Sequence, residues 1–202
     1  HAPAAIQFDT SVTDGGILAV RHMELLLPPL KIVGDGSVNF SEGMDFSVQV
    51  SSGLVSMKQL RAGVALGPIK AGTLQAALHM EGQLKNRASW RAAGQVRFDH
   101  GSIEVEALKE PIRDLFVTLQ FDQDTIEILR LDCQVGASDF RLSGSIARWA
   151  QAPKARVTLK SSQIELAAFT PFTRGPSASA AAGKAWWPDG TVEAFVFADH
   201  VY

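Results

Sequence analysis

Apolar residues recur at every second position along most of the chain. The first such runs are Val38 and Phe40, then Phe46, Val48 and Val50, then Leu74, Ala76, Leu78 and Met80. Val96 and Phe98, Ile103 and Val105, then Leu115, Val117, Leu119 and Phe121 continue the pattern, as do Val157 and Leu159 further on. On a pleated strand, residues i and i+2 point to the same side, so each run reads as a strand with one apolar and one polar face. Runs bounded by turn residues predict about a dozen strands.

The joints between runs carry turn chemistry: Gly34-Asp35-Gly36, Glu42-Gly43, Asp99-His100-Gly101, Asp122-Gln123-Asp124 and Pro188-Asp189-Gly190. Connections this short make hairpins, which predicts an all-β, antiparallel meander. Only residues 55–62 (VSMKQLRA) and 164–169 (IELAAF) have a helical spacing, enough for one or two short helices.

Residues 124–146, DTIEILRLDCQVGASDFRLSGSI, read as a hairpin turning near Gly136 and Ser138. The apolar set changes parity between Ile128 and Leu129. A β-bulge there would keep Ile126, Ile128, Leu129, Leu131, Cys133 and Val135 on the side that also takes Phe140, Leu142 and Ile146. Bulges bend a strand, so the sheet is expected to curve. Glycine followed by a small or polar residue and then a β-branched one recurs at Gly36, Gly94, Gly144 and Gly190, at a loose spacing of about fifty residues. This reads either as a repeated supersecondary unit or as ordinary strand starts.

The small-residue stretch GPSASAAAGK (175–184) cannot bury much surface and divides the chain. The expected organisation is a β segment over 1–174, a flexible loop over 175–187, and the start of a further strand or repeat over 188–202. The strand beginning at Thr191 ends with the sequence, which reads as a chain that continues. The opening HAPAAIQF has no Met, basic stretch or apolar core of a leader, and reads as a processed or excised segment.

Composition narrows the function classes. At 202 residues and 46% hydrophobic, the chain can bury a sizeable core. Its net charge of −2, without basic runs, argues against a nucleic-acid footprint. No window reaches the roughly 18–20 apolar residues of a membrane span. Cys133 is the only cysteine, so no internal disulfide or paired-cysteine metal motif can form, and its alternating neighbours read it as a small buried apolar residue.

No constellation carries catalysis or a cofactor. His1, His22, His79, His100 and His200 lack the i,i+4 spacing of a helical metal pair, and no metal ligand is assigned. Asp122 and Asp124 lack the glycine and downstream Glu of a calcium loop and read as an Asx turn. Glu104 and Glu106 alternate with Ile103 and Val105 on a wet strand face, and neither they nor Asp9 and Asp14 read as a glycosidase dyad. Trp186-Trp187 reads as loop packing or an interfacial anchor. The phosphate-binding, hydrolase and zinc-protease motifs are absent.

The stretch from about residue 78 to 169 resembles the repeating segment of AsmA-like proteins, the YhdP and TamB type of bacterial envelope protein. The likeness rests on Pro111-Ile112-Arg113-Asp114-Leu115, on residues 126–131 and 136–146, and on 153–166. The resemblance implies a long, curved antiparallel sheet forming an open groove, with phospholipid or another acyl lipid as partner. It implies a periplasmic location and attachment to the inner membrane through a segment outside this chain, no catalytic residue and no cofactor. On that reading the groove is lined by Leu115, Val117, Leu119 and Phe121, by Ile126, Ile128, Leu131, Cys133 and Val135, and by Phe140, Leu142, Ile146, Val157 and Leu159. Leu131→Asp or Phe140→Asp would then block transport without necessarily unfolding the sheet. The alternative is a closed β-sandwich or barrel acting as a scaffold or protein-binding module, with the same residues meeting across a dry core.

Overall fold

In the computed structural model, the described residues are 5–13, 15–40, 43–60, 67–105, 108–148, 152–165, 168 and 191–201. The strands are β1 (Ala5–Val12), β2 (Ile17–Leu27), β3 (Leu30–Asn39), β4 (Asp45–Ser52), β5 (Val55–Ser56), β6 (Ile69–Gln83), β7 (Asn86–Ile103), β8 (Ile112–Phe121), β9 (Thr125–Val135), β10 (Ser138–Ala147), β11 (Lys154–Ile164) and β12 (Thr191–Val201). A single helical turn, α1 (Met57–Leu60), follows β5. All twelve strands belong to one sheet, in the order β1-β2-β3-β4-β6-β7-β8-β9-β10-β11-β12, with β5 on β6. The sheet is open and curved and does not close into a barrel.

The meander holds from β1 to β11, where every pair is antiparallel. It ends at β12, which lies parallel to β11. A parallel neighbour needs a long connection, and residues 165–190 separate the two strands in the sequence.

Three predicted joints form as read. Asp122 Oδ1 accepts from the backbone N–H of Asp124 and Thr125 in an Asx turn between β8 and β9. Gly136, at φ 60°, turns β9 into β10, and Gly43 lies between β3 and β4. Two others are not turns. Gly34-Asp35-Gly36 lies inside β3, and Asp99-His100-Gly101 inside the eighteen-residue β7. At Asp99-His100 the register slips by one residue against β8, and His100 takes φ 52°, so the local signal marks a bulge in a continuous strand. Pro188-Asp189-Gly190 and Trp186-Trp187 lie outside the described residues. Of the two helical readings, the first gives α1. In the second, Ile164 ends β11, and of 165–169 only Glu165 and Ala168 are described.

The parity slip in β9 is a bulge. Leu131 faces Leu142 and Ile128 faces Gly144, so three residues of β9 span two of β10. Leu129 is the extra residue. It is 48% exposed and leaves the apolar face, contrary to its expected place there. The bulge at Arg113-Asp114 does the same for β8, where Asp114 at φ 47° lets both Ile112 and Leu115 face one side. Another bulge sits in β2, where Arg21 is the extra residue between Val20 and Met23.

The glycine repeat also has a different local meaning from strand starts. Gly36, Gly94 and Gly144 are mid-strand, all on the apolar face. A Cβ at these positions would sit 2.6, 2.4 and 2.2 Å from the carbonyl oxygens of Ser47, Ala77 and Arg156 on the adjoining strands. Real Cβ atoms do not approach so closely, so glycine is what admits the neighbouring backbone where the sheet bends.

Candidate functional site

Cross-strand register assembles one apolar face across the whole sheet. From β8 it takes Ile112, Leu115, Val117, Leu119 and Phe121, and opposite them on β9 stand Val135, Leu131, Ile128 and Ile126. Cys133 faces Phe140, Leu142 faces both Leu131 and Leu159, and Ile146 faces Ile126 and Ala155. Gly144 faces Val157. All fourteen residues picked from the sequence therefore share one side.

The face extends well beyond them. Leu18, Val20, Met23 and Leu25 of β2, Ile32 and Val38 of β3, and Phe46, Val48 and Val50 of β4 join it. At the two edges it takes Ile6, Phe8 and Val12 of β1, and Val192, Ala194 and Val196 of β12. These had the same period-two signal but lay outside the stretch that carried the resemblance. Phe40, grouped with Val38 in the sequence, falls just beyond β3 and is 54% exposed. Ten inter-strand steps of about 4.8 Å give the face a span on the order of 50 Å along the sheet.

The opposite side is mainly polar. It carries ion pairs between same-face neighbours: Arg97 with Asp99 at 2.7 Å, Asp132 with both Arg130 and Arg141, and Arg156 with Glu193. Lys31 meets Glu24 at 2.8 Å, and that hydrogen bond holds the Glu24 carboxyl below its ordinary range. A depression of about 420 Å³ on this side is lined by Gln49, His79, Gln95, Gln120 and Glu127 around the small residues Ala77 and Ala93. It is a shallow dip where side chains are short.

The apolar side is the inner side of the curve. Along β7 half-buried and exposed residues alternate from Ala92 to Phe98, with the apolar-face residues the more buried ones. Substantial contacts between elements are those of sheet neighbours, apart from α1 against β5 and β6. With no second layer among the described elements, the difference between faces comes from curvature, which crowds side chains on the concave side and splays them on the convex one. The result is a trough.

Its cover is uneven. Val55, Met57, Phe98 and Leu115 form a buried cluster, at 2–9% exposure, and Leu30, Leu74, Ile103, Ile112, Val117, Leu131 and Cys133 pack against it. Burial pushes the Cys133 thiol above its usual pKa, and the nearby Asp132 carboxylate adds to the shift. Four of the fourteen predicted lining residues, Leu115, Val117, Leu131 and Cys133, thus belong to a packed core. Leu131→Asp would put a charge against that core, so it is a destabilising change. Val135, 3% exposed, is closed off too, beside the turn at Gly136 where Ala168 comes near. Leu119, Phe121, Ile126, Ile128, Phe140, Leu142, Ile146, Val157 and Leu159 are only half-buried.

A latch holds the β9–β10 turn to the end of β11. Asp139 Oδ1 accepts from Ser162 Oγ at 2.8 Å and from the N–H groups of Ser162 and Gln163. Burial alone would raise the Asp139 pKa, but these donors hold it below its usual value. Ser138 Oγ accepts from the Glu165 N–H, and Glu165 Oε2 accepts from the Ala137 N–H.

Among the described residues there is no group of three or more His, Cys, Asp and Glu side chains able to hold a metal ion, and no helix long and apolar enough to cross a membrane. Glu104 is exposed and paired with Lys70, while Glu106 and Asp14 lie outside the described residues. No family model, curated protein or solved structure matches the chain.

Proposed function

We propose that this chain is a segment of a bacterial envelope lipid-transfer protein, acting in the periplasm, whose trough carries phospholipid acyl chains between the inner and outer membranes. The observation that supports this reading is a concave apolar face spanning about 50 Å with half-exposed Ile, Leu, Val and Phe side chains from β8 to β11. Monomeric soluble domains rarely leave contiguous apolar patches beyond a few hundred Å², and larger ones mark binding surfaces. Each lipid methylene withdrawn from water contributes about 0.8 kcal/mol, so a bare apolar floor holds an acyl chain without a specific polar partner. The floor carries no charged side chain from β8 to β11, so a headgroup is left at the rim, in water.

Native mass spectrometry after incubation with phosphatidylethanolamine and phosphatidylglycerol vesicles tests it. Lipid adducts that disappear in Leu142→Asp and Ile128→Asp, while the sheet stays folded, are the expected result. A lipid-free protein under the same conditions would sink the reading.

A second reading, a protein-binding module of the envelope, draws on β12. This strand exposes Val192 and Val196 on the trough side and Phe195 and Phe197 on the other, at 50–61% exposure. Unaltered lipid capture by Phe195→Ser/Phe197→Ser would separate these residues from the lipid function.

A further inference from the structure

Resting on the acyl-lipid reading above, we infer that residues 55–60 are a stopper that closes one sector of the trough, so that an acyl chain bound over β8–β11 ends at the cluster at Met57 and does not pass beneath it. The segment is anchored through its backbone, because Val55 and Ser56 pair with Leu74 and Thr73 of β6. It then turns Val55, Met57 and Leu60 onto the face and leaves Lys58 and Gln59 exposed. This is a one-sided apolar segment lying on the trough floor, the position the lipid reading gives to an acyl chain elsewhere on the same face.

The floor beneath is shaped to receive it. A Cβ at Gly72 would stand 2.5 Å from the Phe98 ring, and one at Gly101 2.2 Å from it. Gly72 also holds φ 131°, a conformation that side chains rarely adopt. The two glycines leave the ring room between β6 and β8, and Phe98 becomes part of the cluster that buries Met57 to 4% exposure. No polar atom of that cluster's side chains is available to compensate a displaced stopper, so moving it would expose Phe98 and Leu115 to water.

The experiment uses the full chain with phosphatidylglycerol vesicles doped with a phosphatidylcholine that carries a diazirine at the end of one acyl chain. After irradiation, adducts are mapped by peptide sequencing. The expected map has adducts on β8–β11 residues such as Leu119, Ile128, Leu142 and Leu159, and none on Leu74, Leu115 or Cys133. In Met57→Gly the map should spread to Leu74, Leu115 and Cys133. Adducts on these three in the unsubstituted chain would overturn the stopper, as would a map that stays unchanged in a folded Met57→Gly. If that variant does not fold, the map of the unsubstituted chain decides. Absence of adducts anywhere would instead overturn the lipid reading itself.

Discussion

The two sectors of the trough are built from the same residue types at the same spacing, yet they differ in what lies on them. Under residues 55–60, Leu115 is 8% exposed and Phe98 9%, and the face behaves as a core. Across β9–β11, Ile128, Leu142 and Val157 are half-exposed with no described element above them. Alternation therefore specifies a face and its side of the sheet, but the cover of that face depends on a few residues inserted between β4 and β6. A single-layer sheet is an unusual architecture, since most domains hide an apolar sheet face under a second layer. Here the stopper does so over one sector only.

Truncation should separate the sectors most sharply. Phe98→Ala is expected to cost about 3–5 kcal/mol and Met57→Ala about 2–5 kcal/mol, the range for deleting buried side chains. Leu142→Ala should cost roughly 1 kcal/mol, because less of its surface is hidden in the folded state. Urea midpoints of the three variants test this, and equal losses would erase the distinction between core and track. Charge substitution widens the gap. Leu131→Asp should lower stability by several kcal/mol, of the order seen when an unpaired charge is buried, whereas Leu142→Asp should cost only about 1–2 kcal/mol and remove lipid capture.

An intermediate effect concerns bending. Gly94→Ala would press a Cβ against the Ala77 carbonyl oxygen and the Phe121 ring. A loss of about 1–3 kcal/mol is expected, the usual range for overpacking. Because Phe121 belongs to the half-exposed sector, lipid capture should fall as well.

Thiol chemistry gives a finer test. Burial raises the Cys133 pKa, so less thiolate is present and maleimide should modify it slowly. A cysteine placed at Leu142 in a Cys133→Ser background should react faster, and lipid should protect it. Equal rates would mean that the two sectors are equally covered.

The smallest effect expected is pH dependence at the latch. Asp139 titrates below its ordinary value in the folded chain, so the folded state binds fewer protons there than the unfolded state. Its stabilisation is present above the unfolded-state pKa of about 3.9 and is lost as pH falls through the lower folded value. Asp139→Asn should flatten the acid limb of the stability curve while leaving the neutral limb's slope alone. A slope unchanged on both sides would show that the latch carries no linked proton.

Much of this molecule could be read from spacing alone. Period-two runs identified the faces of β4, β6, β8 and β11, and the change of parity at Ile128/Leu129 located a real bulge. Local signals failed where one residue type serves two purposes. Gly36 and Gly101 read as turn residues, since short-range chemistry cannot separate a glycine that ends a strand from one that makes room for a neighbouring backbone, as Gly36 does, or for a ring, as Gly101 does for Phe98. Leu129 read as part of the apolar face, because parity marks where a bulge falls and not which residue is expelled. The parallel pairing of β12 rests on a crossover of more than twenty residues, and no local pattern encodes its direction.

The sequence by itself determined that there would be strands, that they would be one-sided, and that the apolar sides could be matched, because side-chain alternation is a property of each strand's own backbone. Only the tertiary structure decided which stretches of that face are core and which are bare. Cover is a relation between distant segments: Met57 lies on Phe98 and Leu115 through β5's pairing with β6, and no run of residues states that pairing in advance.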